Sequence, residues 1–230
     1  MLVDIKAKAI LFDMDGTLVN TIECVEKWWR RLAAQHGVDA AQLLATIHGC
    51  PTYEVLCQCF PESMHTREEA QRFERQVMVD GEGVHMVPGA LAAVRALSDS
   101  QWAIVTAATH ELAAMRLAQV GLPEPTHLVA AHSVQRGKPF PDCYELAARV
   151  LHVEPHETVV FEDSVNGVKA GVAAGAVVVG ILSSTPETLL REAGASYIVR
   201  DFTAVNVASR DGILTISIDE SSLPLPEAKK

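Results

Sequence analysis

Six short runs rich in Val, Ile and Ala constrain this chain more than any other feature: Ala9–Phe12, Ala103–Thr106, Leu128–Ala131, Thr158–Phe161, Ala176–Gly180 and Tyr197–Val199. Runs that stay apolar through successive positions belong to strands covered on both faces, which is the condition of a parallel sheet. Helix signals fill most of the intervals between them. Gly121 closes a helical pattern over His110–Val120, and Gly175 closes another over Ser164–Ala174. Thr185-Pro186 reads as an N-cap with Pro at the first helical position, and Gly194 ends that helix. Strand and helix alternating with short links predict a doubly wound α/β domain.

One interval breaks the rhythm. Between Asn20 and Val84 the pattern is helical, with no strand. Ile22, Val25, Trp28, Trp29 and Leu32 share one face of a helix that Thr21 can cap. Asp39 and Thr52 can open two more, and charged Arg67–Val79 reads as a solvated helix. This is far more than a single crossover needs, which is about a dozen residues. Residues 20–85 are therefore expected to form an inserted helical cap, hinged at Val19-Asn20 and Gly81–Val84. Residues 1–19 and 86–218 would form the α/β core, and 219–230 a disordered tail.

Nineteen Lys and Arg against 29 Asp and Glu leave a formal net charge of −10. Nucleic acid and anionic membranes are attracted by basic faces, so neither is an expected partner. No apolar stretch reaches the roughly 18 residues of a membrane span. Asp13 interrupts the first apolar run, so neither a signal peptide nor an anchor is expected. The five cysteines, Cys24, Cys50, Cys57, Cys59 and Cys143, are odd in number and point to a reducing, cytoplasmic setting. Cys57 and Cys59 stand closer than the spacing of a zinc knuckle, and no second pair follows. They read as small packing hydrophobes.

Ligands bind open α/β sheets at the carboxyl ends of the strands. The first strand runs into Asp13-Met14-Asp15-Gly16-Thr17. There one side chain and one backbone carbonyl can coordinate a hard cation such as Mg²⁺, leaving the second carboxylate to move a proton. An acidic turn with no chemistry has the same residues. Thr106-Ala107-Ala108-Thr109, after the second strand, offers a hydroxyl and fresh N–H groups to a phosphate, although Thr106 also suits a strand or an N-cap. Lys138 lies in the loop Arg136-Gly137-Lys138-Pro139, either offsetting clustered carboxylates or simply solvated. Phe161-Glu162-Asp163-Ser164 opens a helix, and by itself Asp163 reads as its cap.

Taken together and in this order, the Asp pair, Thr106, Lys138 and the acidic pair resemble the haloacid-dehalogenase-like hydrolase superfamily over nearly the whole chain. Ile10–Val19 is the strongest stretch. Val87-Pro88-Gly89, Trp102–Thr106, Arg136–Pro139 and Phe161–Gly167 look more closely like small sugar- and polyol-phosphate phosphatases, those acting on 2-deoxyglucose 6-phosphate, hexitol phosphates and glycerol 3-phosphate. The resemblance implies a small phosphorylated metabolite as substrate and Mg²⁺ as cofactor. It implies Asp13 as the nucleophile that becomes an aspartyl phosphate, and Asp15 as general acid and base. Thr106 and the Ala107 N–H would hold the phosphoryl group, with Lys138 neutralising it. Mg²⁺ would bind Asp13, the Asp15 carbonyl and Asp163, with Glu162 in support.

Two positions depart from the pattern. His48-Gly49-Cys50-Pro51-Thr52 stands where several relatives carry a Gly-Arg pair in the cap, which leaves His48 as the cap residue to touch substrate. Asn20 replaces a common aspartate. The alternatives are a phosphoglucomutase-type isomerase on the same core and a catalytically idle binding relative; intact Asp13, Asp15, Lys138 and Asp163 speak against the second. Other signals fail. Pro155 breaks any helix that would bring His152 and His156 together, and Gly137-Lys138 lacks the earlier glycine of a nucleotide-binding P-loop. Gly167, Gly171 and Gly175 read as a surface that lets a soluble helix lie close to the sheet.

Overall fold

The computed structural model of the protein describes residues 2–47 and 49–220. From the amino end, β1 (Leu2–Ala7) and β2 (Ala9–Phe12) lead to a short β3 (Val19–Asn20). Four helices follow, α1 (Ile22–His36), α2 (Ala40–Ile47), α3 (Thr52–Cys59) and α4 (Arg67–Val79), and then β4 (His85–Met86). The chain then alternates through α5 (Ala90–Arg95), β5 (Trp102–Val105), α6 (His110–Val120), β6 (Leu128–Val129), α7 (Asp142–Val150) and β7 (Thr158–Glu162). It continues with α8 (Val165–Ala174), β8 (Val177–Ile181), α9 (Glu187–Glu192), β9 (Tyr197–Val199), β10 (Val205–Arg210) and β11 (Ile213–Asp219).

The six apolar runs make one parallel sheet, in the order β6-β5-β2-β7-β8-β9. Successive side chains point to opposite faces. Ile10, Phe12, Ile104 and Phe161 meet α5, α6 and the β11 strand on one side, while Leu11, Ala103, Val105 and Val160 meet α7, α8 and α9 on the other. Gly171 allows the close approach of α8, since a Cβ there would sit 2.9 Å from Val178 Cγ2. Pro186 is itself the N-cap of α9, extended at ψ 146°, one place earlier than the first helical position expected for it.

A second sheet, β1-β11-β10, is antiparallel and was not among the expected strands. Its strands alternate instead of running apolar: in β11 only Leu214, Ile216 and Ile218 are buried. That is the pattern of a sheet with one wet face. Asp211 (φ 53°) and Gly212 (φ 78°) join β10 to β11, both left-handed as a two-residue type I′ hairpin requires. The ordered chain consequently runs past 218. Asp219 pairs with Leu2, and Glu220 accepts the Ile198 N–H at 3.1 Å, so the expected tail cannot begin at 219. Residues 221–230 lie outside the described residues.

Helices α1–α4 enclose their own apolar cluster, with Trp29 against Phe73 (ring centroids 4.2 Å) and Phe60 (5.9 Å). The chain leaves the core through β3 and returns through β4, which pair antiparallel, Val19 with Met86 and Asn20 with His85. The α4 helix is not solvated all round: Ala70, Phe73, Glu74 and Val77 are buried. Among the described residues, no helix is long and apolar enough to cross a membrane.

Phe12 lies at the centre of the core, its ring 5.6 Å from Phe161, 5.7 Å from Phe202 and 6.3 Å from Trp102. Removing this fully buried ring leaves a cavity among those three aromatics. Phe12→Ala is expected to lower the unfolding free energy by about 3–5 kcal/mol, read as a lowered urea midpoint.

Candidate active site

The register of two neighbouring strands builds the centre of the site. Phe12 pairs with Phe161, so Asp13 and Glu162 emerge side by side at the carboxyl edge. Lys138 Nζ reaches between them, donating to Asp13 Oδ1 at 2.6 Å, Glu162 Oε1 at 2.5 Å and the Val105 carbonyl at 3.1 Å. All three side chains are buried, so the loop lysine is not a solvated one. Tyr144, on α7, also donates to Glu162 Oε1, at 2.8 Å. Glu162 Oε2 accepts from Asp163 N, Ser164 N and Ser164 Oγ at 3.0–3.2 Å. Both oxygens of Glu162 are thus engaged by donors of the protein. A Cβ on Gly167 would lie 1.7 Å from Glu162 Oε1, so only glycine fits beside it.

Asp163 lies next to this group. Ser183 Oγ donates to its Oδ2 at 3.2 Å and Ser184 Oγ to its carbonyl at 3.0 Å. It does not cap α8; Ser164 does, accepting from Gly167 N at 3.0 Å. Gly16, at φ +84°, lets the first loop pass directly over Asp163, because a Cβ there would meet Oδ2 at 2.0 Å. Carboxylate oxygens of Asp13, Glu162 and Asp163 lie within 4.8 Å of one another. An all-oxygen, buried donor set suits a hard divalent cation such as Mg²⁺. With Glu162 held by its five donors, Asp13 and Asp163 are the side chains left to take one.

Asp15 Oδ1 accepts the Thr21 hydroxyl at 2.7 Å. Thr21 therefore does not cap α1, as its position promised; its side chain makes no cap bond, and Asn20 Oδ1 accepts the Ile22 N–H at 3.2 Å. Thr106 Oγ1 accepts the Ala108 N–H at 3.0 Å, shaping the turn after β5. Burial sets the electrostatics. It raises Asp13 well above the ordinary carboxylate range, helped by the Glu162 charge and opposed by Lys138. Asp15 is raised by burial too, against the Thr21 bond and the positive charges of Arg116 and Lys138. Burial alone would lower Lys138, but Asp13 and Glu162 outweigh it and hold the ammonium charged.

A cavity of about 100 Å³ separates this edge from the inserted helices. Asp13, Asp15, Thr106, Ala107 and Asp163 border it from the core, and Trp29, Phe73 and Glu74 from the insert. The structure thus brings Asp13, Asp15, Thr106, Ala107, Lys138, Glu162 and Asp163 to one edge. His48 lies outside the described residues, although its neighbours Gly49 and Cys50 border the cavity. Sequence reasoning missed Thr21, Tyr144, Ser183, Ser184, Glu74 and Arg116. For Ser183 and Ser184 a signal existed: a polar cluster directly after an apolar run, at the end of the sheet where ligands bind.

The haloacid dehalogenase-like hydrolase family description matches residues 7–175. Hexitol phosphatase A of Escherichia coli is 37% identical over 192 residues, covering 81% of this chain and 88% of that one. 2-Deoxyglucose-6-phosphate phosphatase 2 of Saccharomyces cerevisiae is 34% identical, covering 87% and 90% respectively. Among solved structures, a putative beta-phosphoglucomutase from Thermotoga maritima matches with a TM-score of 0.61 at 29% identity, over 83% of this chain and 93% of that one.

Burial, then the Glu162 charge, push Asp163 from its ordinary 3.8 up to about 7, against Ser184, Lys138 and Ser183. In that interval the folded chain holds a proton that the unfolded chain releases, so stability falls as pH rises through it. In chelator, the melting temperature is expected to fall as pH climbs from 3.8 towards 7, less steeply in Asp163→Asn. Mg²⁺ binds the ionised form and should recover more stability at the upper end than at the lower, as thermal melts across pH would show.

Proposed function

The chain belongs to the haloacid dehalogenase-like hydrolases, and on that premise we propose that it is a phosphatase releasing phosphate from a small sugar or polyol monoester. The observation that carries this reading is the buried Asp13–Lys138 contact at the end of β2, with Asp15 two residues further on. A carboxylate and a phosphate dianion repel by about 4 kcal/mol for each pair of unit charges at about 4 Å in a partly screened site. An acidic nucleophile needs a cation beside it, and Lys138 is already there.

In this mechanism Asp13 attacks phosphorus, and the bond to the sugar oxygen breaks as the bond to the carboxylate forms. Asp15, whose burial favours the protonated form, gives its proton to the departing alkoxide. It then takes one back from the water that attacks the aspartyl phosphate, which frees Asp13 and inorganic phosphate. Thr106 and the Ala107 N–H hold the phosphoryl oxygens. Glu162 keeps Lys138 aimed at Asp13. Asp13, Asp163 and the Asp15 carbonyl would hold Mg²⁺, which would supply further positive charge to the transferring group. Residues 20–85 act as a cap that excludes water and turns on the β3–β4 pair. The substrate is a small metabolite of the cytoplasm, and nucleic acid is not one.

A mutase is the second reading, raised by the Thermotoga maritima structure. Such an enzyme must hold a bisphosphate at both ends, and the far phosphate calls for a cation in the cap, best an arginine fork. The loop Gly49-Cys50-Pro51-Thr52 carries none. The phosphatase reading is the better supported.

Asp13→Asn is expected to abolish phosphate release with an unchanged circular dichroism spectrum; substantial residual turnover would point to direct attack by water. Asp15→Asn is expected to cost about 10²–10⁴-fold on alkyl phosphates. An aryl phosphate with an acidic phenol should be partly spared, because its leaving group needs no proton.

Supplied with glucose 1-phosphate and a trace of the bisphosphate, the protein should release free phosphate faster than it forms glucose 6-phosphate. The opposite ranking would establish the mutase.

A further inference from the structure

We propose that Glu74 selects the organic half of the substrate, accepting hydrogen bonds from a pair of neighbouring hydroxyls and turning away molecules with a second anionic group. The proposal rests on the phosphatase reading and narrows it to neutral polyhydroxy bodies. Glu74 is 7% exposed, on the α4 face that also buries Ala70, Phe73 and Val77. A carboxylate buried on an apolar helix face carries a large desolvation cost and is seldom found without a partner. Glu74 borders the same cavity as Asp13 and Asp15, from the opposite, inserted wall.

Among the described residues Glu74 makes no ion pair, although Arg67 and His132 border a small neighbouring cavity with it. Burial raises Glu74 above its ordinary carboxylate range, while the hydroxyls of Thr52 and Thr109 and the nearby His132 favour its ionised form and Asp15 opposes it. Arg116 shares the cavity, but its guanidinium is directed elsewhere. Nη2 donates to Val77 O at 3.2 Å and approaches Cys24 Sγ at 3.6 Å, while Nη1 donates to Gln119 Oε1 at 3.2 Å and Asp80 O at 3.5 Å.

An ionised carboxylate is purely an acceptor, with about four lone-pair sites. Even if both threonine hydroxyls donate to it, roughly half of that capacity is left for a ligand. Neighbouring hydroxyls of a sugar or polyol offer two O–H donors with the spacing of two carboxylate oxygens. A second phosphate at that position offers only acceptors, and its charge meets Glu74 and the nearby Asp15 across a poorly screened cavity. Trp29 and Phe73 line the same cavity and give the C–H faces of the carbon chain an apolar wall.

The test compares kcat/KM on three substrates: a hexitol monophosphate, a sugar bisphosphate, and para-nitrophenyl phosphate, which has no hydroxyls to read. Glu74→Gln keeps the volume of the side chain and removes its charge. It is expected to lower kcat/KM on the hexitol phosphate about tenfold or more, chiefly through KM, as for a lost bond to a charged group. The loss on para-nitrophenyl phosphate should be far smaller, and the bisphosphate should gain ground on the hexitol phosphate. Equal loss on all three substrates, or none on the hexitol phosphate, would overturn the role of Glu74. If the parent protein hydrolyses none of them, the phosphatase reading falls instead. Calorimetry then still decides the present point: hexitol phosphate should bind Asp13→Asn more tightly than the Asp13→Asn, Glu74→Gln double variant, and equal affinity would refute it.

Discussion

Lys138 places one positive charge between two carboxylates that adjacent parallel strands force side by side. Asp13 and Glu162 cannot separate, because the pairing of Phe12 with Phe161 sets where they emerge. Burying either without compensation would cost several kcal/mol, and removing one partner of such a group leaves the others uncompensated. The protein answers with donors on every side of Glu162: Lys138, Tyr144 and the first N–H groups of the α8 loop. Asp13 receives one of those donors, from Lys138. The asymmetry separates a carboxylate held by five donors from one held by a single donor, although the two stand on neighbouring strands.

Two glycines make that arrangement possible. Gly16 lets the loop after β2 pass over Asp163, and Gly167 lets α8 begin against Glu162; a Cβ at either would overlap a carboxylate. Both positions bring backbone close to charge. The same edge is tied to the insert. Asp15 takes its hydrogen bond from Thr21, at the entrance to α1, and Arg116 of core helix α6 reaches the Val77 carbonyl in the last turns of α4. A cation at the carboxyl end of a helix is favourably placed against the helix dipole. The β3–β4 pair completes the connection, and partly buried Val84 packs against both the core cluster and that of the insert.

The central sheet was legible because a strand covered on both faces must stay apolar along its length, and six such runs are all present. The second sheet was written in a different code. β11 is apolar at alternate positions, and the Asp211-Gly212 turn that marks its hairpin stands in plain view, but a search for continuous runs passes over both. Acidic residues at strand ends were equally readable, since their position follows from where each strand stops. Glu74 was not. Within the charged stretch Arg67–Val79 a buried glutamate and a solvated one are spelled alike, and Tyr144 is spelled like any core aromatic.

By itself the sequence determined which segments become the strands of the central sheet and the helices between them, and which carboxylates stand where those strands end. Periodicity and local chemistry carry that much, because they concern a segment's own axis and its nearest neighbours. Which distant groups those carboxylates meet was decided by tertiary structure alone. Lys138 is 125 residues from Asp13, and Arg116 is 39 residues from the carbonyl it holds. Nothing local in either segment names its partner, because a side chain's direction in space depends on how whole elements pack against one another.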